Sequence, residues 1–86
     1  MDINNLISII KKKIIKNIIC ESLKIEDKSF LHKNHTGNDN TKFHIKLLIQ
    51  SQQLKEMGRV ESNKKIYKIL NDEISTSIHS LQILIH

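Results

Sequence analysis

Five histidines are the residues of this chain with the widest chemical reach. His32 and His35 stand three apart in a polar stretch, His44 falls within an alternating apolar segment, His79 opens another, and His86 is the last residue. Neutral imidazole is a good ligand for zinc and iron. Two histidines three apart in a loop can be presented to one metal, although the loop does not fix them there. His79 shares its parity with Leu81, Ile83 and Ile85, and a lone histidine on an apolar face is most often a hydrogen-bonded core residue. His32 and His35 in a loop are most often solvated, and His44 and His86 read as exposed. Thiolates are scarce: Cys20 is the single cysteine, so it forms no internal disulfide and cannot by itself hold a zinc or iron–sulfur site. Its place at the edge of an apolar helical stripe reads as a buried structural thiol.

The elements that would position these residues follow from periodicity. Ile3, Leu6, Ile7, Ile10, Ile14, Ile15 and Ile18 recur at three- and four-residue spacing, which predicts an amphipathic helix over 3–22 with Asp2 as its N-cap. From Leu23 the period becomes two, predicting a strand to about Leu31. Residues 32–41 have no apolar side chain and contain Gly37 among Asn and Asp, a loop. Phe43, Ile45, Leu47 and Ile49 alternate with His44, Lys46, Leu48 and Gln50, the clearest strand in the sequence. Residues 51–59 read as a polar connector with one short turn around Gln53 to Lys55. Ser62 reads as the N-cap of a second main helix over about 63–74, with Ile66, Tyr67, Leu70 and Ile74 turned inward. The last segment alternates again, with His79, Leu81, Ile83 and Ile85 on one parity and Ile78, Ser80, Gln82 and Leu84 on the other.

The order is α-β-β-α-β with a small extra helix: an α+β fold with a three-stranded mixed sheet and its helices packed on one face. A helix between the second and third strands is the connection a parallel pair requires. In that topology the end of the first strand and the starts of the second and third lie at one edge of the sheet. The loop histidines and His79 then become neighbours. Two or three imidazoles without a thiolate make an incomplete, open site that needs ligands from outside the chain, and a donor set of histidines and thiolates resembles Rieske-type ligation.

Composition bounds the rest. The 86 residues make one domain, 1–86, with a small core. The formal charge is +5, but Ile, Lys and Asn supply 38 of the residues, a bias that A/T-rich coding produces, so the excess of lysine is weak evidence for a nucleic-acid partner. Lys11, Lys12, Lys13 and Lys16 interrupt the one Ile-rich stretch, so no run reaches the roughly 18 apolar residues of a membrane span. The apolar residues 6–10 also precede the charges, the reverse of a signal peptide. A cytoplasmic protein with no membrane association is expected.

From Leu23 to His86 the chain resembles the BolA family. LKIEDKS stands as a first strand, a histidine-bearing loop follows, and FHIKLLI occupies the place of the family's THF-x-V-x-(apolar)-V strand. NDEISTSIHSLQI is similar to the family's helix end and its "DEL…VHAL" strand start, with the IHSL tetrapeptide the most specific piece. The resemblance implies an αββααβ fold related to class II KH domains. It further implies a [2Fe-2S] cluster shared with a monothiol glutaredoxin, whose cysteine and a glutathione thiol supply the thiolates, with no cofactor tightly bound by the isolated chain. His79 would be one ligand and His32 or His35 the other. Alone, the chain would be a monomer or weak dimer. Where relatives carry Arg-His-Arg at the start of the second main helix, this chain has Ser62-Asn63-Lys64, and Lys42 replaces the histidine before the strand phenylalanine. Lysine cannot reproduce bidentate arginine contacts.

Arg59, Lys64, Lys65 and Lys68 keep that helix basic and are the candidate interface for a protein partner or nucleic acid. DNA is the alternative partner, in a KH-like transcriptional regulator. Against it, KEMGRVES supplies no GXXG loop to grip nucleotides, and Phe30, Phe43 and Tyr67 are the whole aromatic complement. No Gly-rich phosphate loop, nucleophile beside a base, or inward carboxylate pair marks the chain as an enzyme. Asp72 and Glu73 read as acids at a helix C-terminus, which the macrodipole disfavours.

Overall fold

Asp2 opens the first helix as its spacing predicts, its carboxylate accepting from the Asn5 backbone N–H at 2.9 Å. The computed structural model describes residues 2–29 and 42–86. In chain order these form α1 (Ile3–Asn17), β1 (Ser22–Asp27), β2 (Phe43–Gln50), α2 (Gln52–Met57), α3 (Arg59–Ile69), α4 (Asn71–Thr76) and β3 (Ile78–Ile85). The sheet runs β1-β2-β3. β1 and β2 are antiparallel, Ser22 opposite Gln50 through Asp27 opposite Ile45, and β2 and β3 are parallel. Leu6, Ile10 and Ile14 of α1, Ile45, Leu47 and Ile49 of β2, Leu54 of α2 and Ile66 of α3 are buried together with Leu70. Each such side chain contributes about 1.5–3 kcal/mol by leaving water. No described helix is long and apolar enough to cross a membrane.

Boundaries depart from the periodicity where tertiary hydrogen bonds intervene. The first helix ends at Asn17 rather than 22, because Ile18 turns extended (φ −134°, ψ 133°) after donating to the Ile14 carbonyl. Ile19 is then held by α2: its N–H donates to Gln53 Oε1 at 2.8 Å and its carbonyl accepts from Ser51 Oγ at 2.7 Å. The same Ser51 hydroxyl accepts from the Leu54 N–H, so one fully buried serine caps α2 and anchors the chain leaving α1. The first strand stops at Asp27, whose carboxylate accepts from the Ser29 N–H at 2.9 Å in a local turn. Its predicted continuation through Phe30 and Leu31, and the loop with His32 and His35, lie outside the described residues.

The second main helix is two helices. Ser62 is not an N-cap but lies inside α3, buried, with Oγ donating to the Arg59 carbonyl at 3.0 Å. α3 starts earlier because Gly58, at φ +84°, reverses the chain between α2 and α3 in one residue. Leu70 (φ −99°, ψ 17°) breaks the helix and α4 begins at Asn71. Ile66 and Leu70 are buried, but Tyr67, one step around the helix, is 44% exposed rather than inward.

That break also accounts for the acids. Asp72 and Glu73 occupy the first turn of α4 instead of a C-terminus, where the macrodipole favours them. Glu73 is buried and takes both of its bonds from Lys13 of α1, at 2.9 and 2.7 Å. Asp72 stands 4.0 Å from the same ammonium with 84% of its side chain in solvent. A Lys13→Met substitution leaves the Glu73 carboxylate buried without its partner, and urea melts should show a loss of about 1–3 kcal/mol. Asp72→Asn should stay within about 0.5 kcal/mol. Equal losses would contradict the assignment.

Candidate functional site

The open face of the sheet carries the even-numbered residues of β2 and the residues opposite them. β2 turns Ile45, Leu47 and Ile49 into the core, which leaves His44, Lys46 and Leu48 on the other side. Past the start of β3 the ladder is regular, with His44 opposite Ser80, Lys46 opposite Gln82 and Leu48 opposite Leu84. At its first step it is not: Phe43 pairs with Ile78 and His44 with Ser80, so His79 has no partner across the ladder. This is a β-bulge, unusual in a parallel pair and able to re-aim a side chain.

The bulge overturns the parity expected of His79. Ile78 is buried, Leu81, Ile83 and Ile85 are half-buried against the core, and His79 and Ser80 are both exposed. Ile78 and Leu81 are three positions apart, an odd step that a strand of period two cannot place on one face. The extra residue absorbs the mismatch, and His79 is the one displaced. Its ring lies beside His44, centroid to centroid 4.9 Å, with the planes tilted by 58°. His44 Nδ1 is 2.6 Å from Ser80 Oγ.

The backbone around the pair is tied from three sides. The His44 N–H donates to Ser29 Oγ at 3.1 Å, and its carbonyl accepts from the Lys28 N–H at 2.7 Å. The Phe43 N–H donates to the Ser77 carbonyl at 2.9 Å, and Ser77 is the single residue between α4 and β3. Thus the ends of β1 and α4 and the starts of β2 and β3 do meet at one edge, as the topology requires. Sequence reasoning placed His79 there but passed over His44 as merely exposed. The alternation that put His44 on the open face was legible; the bulge that brings His79 to it was not read.

The other titrating candidates are elsewhere. Cys20 precedes β1, near the Ser22–Gln50 pair, and the His86 N–H donates to the Ile49 carbonyl. Both therefore sit at the opposite end of the sheet from His44, six residues or about 20 Å along β2. Cys20 is half-buried beyond the end of α1 rather than on its stripe. Burial, and then the Glu21 carboxylate beside it, push its thiol above the ordinary range. Among the described residues no group of three or more His, Cys, Asp or Glu side chains could hold a metal. Two imidazoles are what this edge offers from the described chain, so a group needing four ligands must find others.

Glu26, facing the lysines of the open face, is pushed up by partial desolvation, but Lys28 outweighs this together with Lys24 and Lys46, and its carboxyl lies below the usual range. The four cations of the expected interface all fall on α3 without forming one face. Lys64 and Lys68 are exposed one turn apart, Lys64 lies 4.0 Å from Glu61, and Lys65 is half-buried. Arg59, at the start of the helix, instead lines a groove with Lys55, Gly58 and the end of β3.

A family model described as BolA-like protein matches residues 14–86. Over 75 residues the chain is 36% identical to the "DNA-binding transcriptional regulator BolA" of Haemophilus influenzae, covering 87% of this chain and 70% of that one. It is 31% identical over 87 residues to "Protein BOLA1, chloroplastic" of Arabidopsis thaliana, covering 95% of this chain but only 53% of that one. The solved structure of BolA1 from Arabidopsis thaliana superposes with a TM-score of 0.75 at 29% identity, covering 91% of this chain and 86% of that one.

The raised, half-buried thiol gives a direct check on the site's donor set. Iodoacetamide at pH 7.5 should alkylate Cys20 several-fold more slowly in the folded protein than in urea, because only the thiolate reacts. Equal rates would mean an exposed, activated thiol.

Proposed function

The chain belongs to the BolA-like protein family, and from that premise we propose that it is an accessory protein of iron–sulfur cluster handling that shares a [2Fe-2S] cluster with a monothiol glutaredoxin. The observation that carries this reading is the displacement of His79 out of the apolar parity and onto the open face of the sheet. An imidazole so exposed is available to a partner, whereas one packed under the helices is not. The single thiol lies at the far end of the sheet, and the resemblance implies that the thiolates of the cluster come from the glutaredoxin cysteine and glutathione. The [2Fe-2S] group supplies electron-transfer and cluster-donation chemistry when bound. The chain's own part is to present His79, and with it a second imidazole, at the edge where β1, β2 and β3 meet. The resemblance puts that second ligand at His32 or His35.

In this reading the protein works in the cytoplasm, is not an enzyme, and uses α3, with Arg59, Lys64, Lys65 and Lys68, against its partner. Mixing it with cluster-loaded monothiol glutaredoxin and glutathione should give visible absorption and circular dichroism distinct from those of the glutaredoxin homodimer. His79→Ala should abolish the new spectrum. If wild type leaves the homodimer spectrum unchanged, or if His79→Ala behaves as wild type, the reading is lost.

A second reading, DNA-binding regulation, is favoured by the printed name of the Haemophilus influenzae relative and by the basic residues of α3. The connection between α2 and α3 is Gly58 alone, which leaves no loop of the kind KH domains close over nucleotides. Electrostatic binding through a few lysines should weaken by about tenfold or more between 50 and 200 mM salt. Binding to one DNA sequence that persists at the higher salt would instead favour this second reading.

A further inference from the structure

We infer that two copies of this chain join through the free edge of β1, strand against strand and antiparallel about Ile25, into one continuous sheet. β1 and β3 are the outer strands of the sheet, and an outer strand presents unpaired N–H and C=O groups that can template another chain. Which residues of β1 present them follows from the ladder. One step beyond the Asp27–Ile45 pair, the Lys28 N–H donates to the His44 carbonyl, so the even-numbered residues of β1 are the ones that bond to β2. Leu23, Ile25 and Asp27 turn their main-chain groups outward, where those groups have no partner among the described residues.

Charge selects the register. A two-fold axis through the middle of the strand that keeps outward residues opposite one another passes through Lys24, Ile25 or Glu26. On Lys24 it sets that ammonium against its own copy, and on Glu26 it sets two carboxylates against each other; like charges directly opposite are destabilising. On Ile25 it sets Lys24 opposite Glu26 of the second copy, and Glu26 opposite the second Lys24. Ile25 then faces its copy and Leu23 faces Asp27, and each such pair exchanges two main-chain hydrogen bonds. The other outer strand has no such device. IHSLQILI carries no lysine or carboxylate to select a register, and on its edge the Tyr67 hydroxyl donates to the Leu81 carbonyl at 3.5 Å.

The surface beside β1 leaves apolar atoms in water. Ile15 is 55% and Ile19 77% exposed, and with Ile18, Cys20 and Leu23 they line a groove between the end of α1 and the start of β1, with Lys11 on its rim. Leu23 and Ile25 are only half-buried, on the face of the sheet that packs against the core, and Asp27 shares their parity. Pairing about Ile25 therefore seats Asp27 of the second copy beside Leu23, on the side where Lys11 borders the groove without an ion pair among the described residues. The contact occurs twice, as an isologous interface requires. It lies two strands from His79, so it neither uses nor needs the cluster-sharing reading.

Sedimentation equilibrium of the full chain between about 10 μM and 1 mM should show a reversible monomer–dimer equilibrium. Because each substitution acts twice across the axis, Lys24→Glu and Glu26→Lys should each weaken dimerisation by about tenfold or more. The Lys24→Glu/Glu26→Lys double variant restores both pairs with reversed sign and should dimerise within about threefold of wild type. Circular dichroism melts confirm that each variant folds, since Glu26 also pairs with Lys28 in its own chain. Hydrogen exchange locates the contact: the Leu23 and Ile25 amides should become protected as concentration rises, while those of Ile83 and Ile85 on β3 should not. A chain that stays monomeric at about 1 mM overturns the inference. So does a dimer that protects the β3 amides instead, or one that tolerates both single charge reversals in folded variants.

Discussion

The placement of His79 beside His44 depends on one irregularity in hydrogen-bond register, the bulge between Phe43 and His44 where β3 gains a residue. Two demands meet there. α4 passes to β3 through Ser77 alone, whose N–H bonds back to the Glu73 carbonyl and whose carbonyl accepts from Phe43. That fixes the first pairing and buries Ile78. Further along, Leu81, Ile83 and Ile85 pack against the core. A regular strand cannot satisfy both, since the step from Ile78 to Leu81 is odd. Moving the whole strand by one residue would turn its apolar set to solvent, a loss of three half-buried side chains, each worth part of the about 1.5–3 kcal/mol that full burial contributes. Displacing one histidine onto the open face costs far less, and it puts that imidazole beside another.

The helices hold that register from behind. Lys13 and Glu73 join α1 to the first turn of α4 through a part-buried, two-bond ion pair, so this short helix, and with it the start of β3, is set relative to the first helix. Ser51 does the same at the other end of the sheet, bonding Ile19, Leu54 and, through its N–H, the His86 carbonyl. The sheet is therefore pinned at both ends, and its two ends differ chemically. The imidazoles His44 and His79 occupy one, while the single thiol, its pKa raised by burial and then by Glu21, occupies the other. A site that draws thiolate ligands must take them from a second molecule.

Much of this was legible in the residues. Alternation in Phe43–Gln50, the helical spacing of Leu6, Ile10 and Ile14, and the crossover between β2 and β3 gave the sheet order and the shared edge. IHSL and the neighbouring pattern pointed to the family. What periodicity could not supply were the places where long-range bonds decide: the capture of Ile19 by Gln53 and Ser51, the break at Leu70, and the burial of Glu73 by a lysine sixty residues away. The parity of His79 is the instructive case. Ile78 and the Leu81 series were visibly out of step, and that mismatch has two solutions, a histidine in the core or an extra residue in the strand. Local pattern does not choose between them; the buried Ile78 does. His44 was overlooked because an alternating polar position has no signal of its own until its cross-strand neighbour is known.

The most direct test of this account is the through-space proton contacts of the His79 ring in solution, measured by NMR on the labelled, metal-free protein. Cross-peaks from His79 to the His44 ring, with none to the Ile45 and Ile83 side chains, are the predicted result. Cross-peaks to those core residues, and none to His44, would place His79 beneath the helices and contradict it.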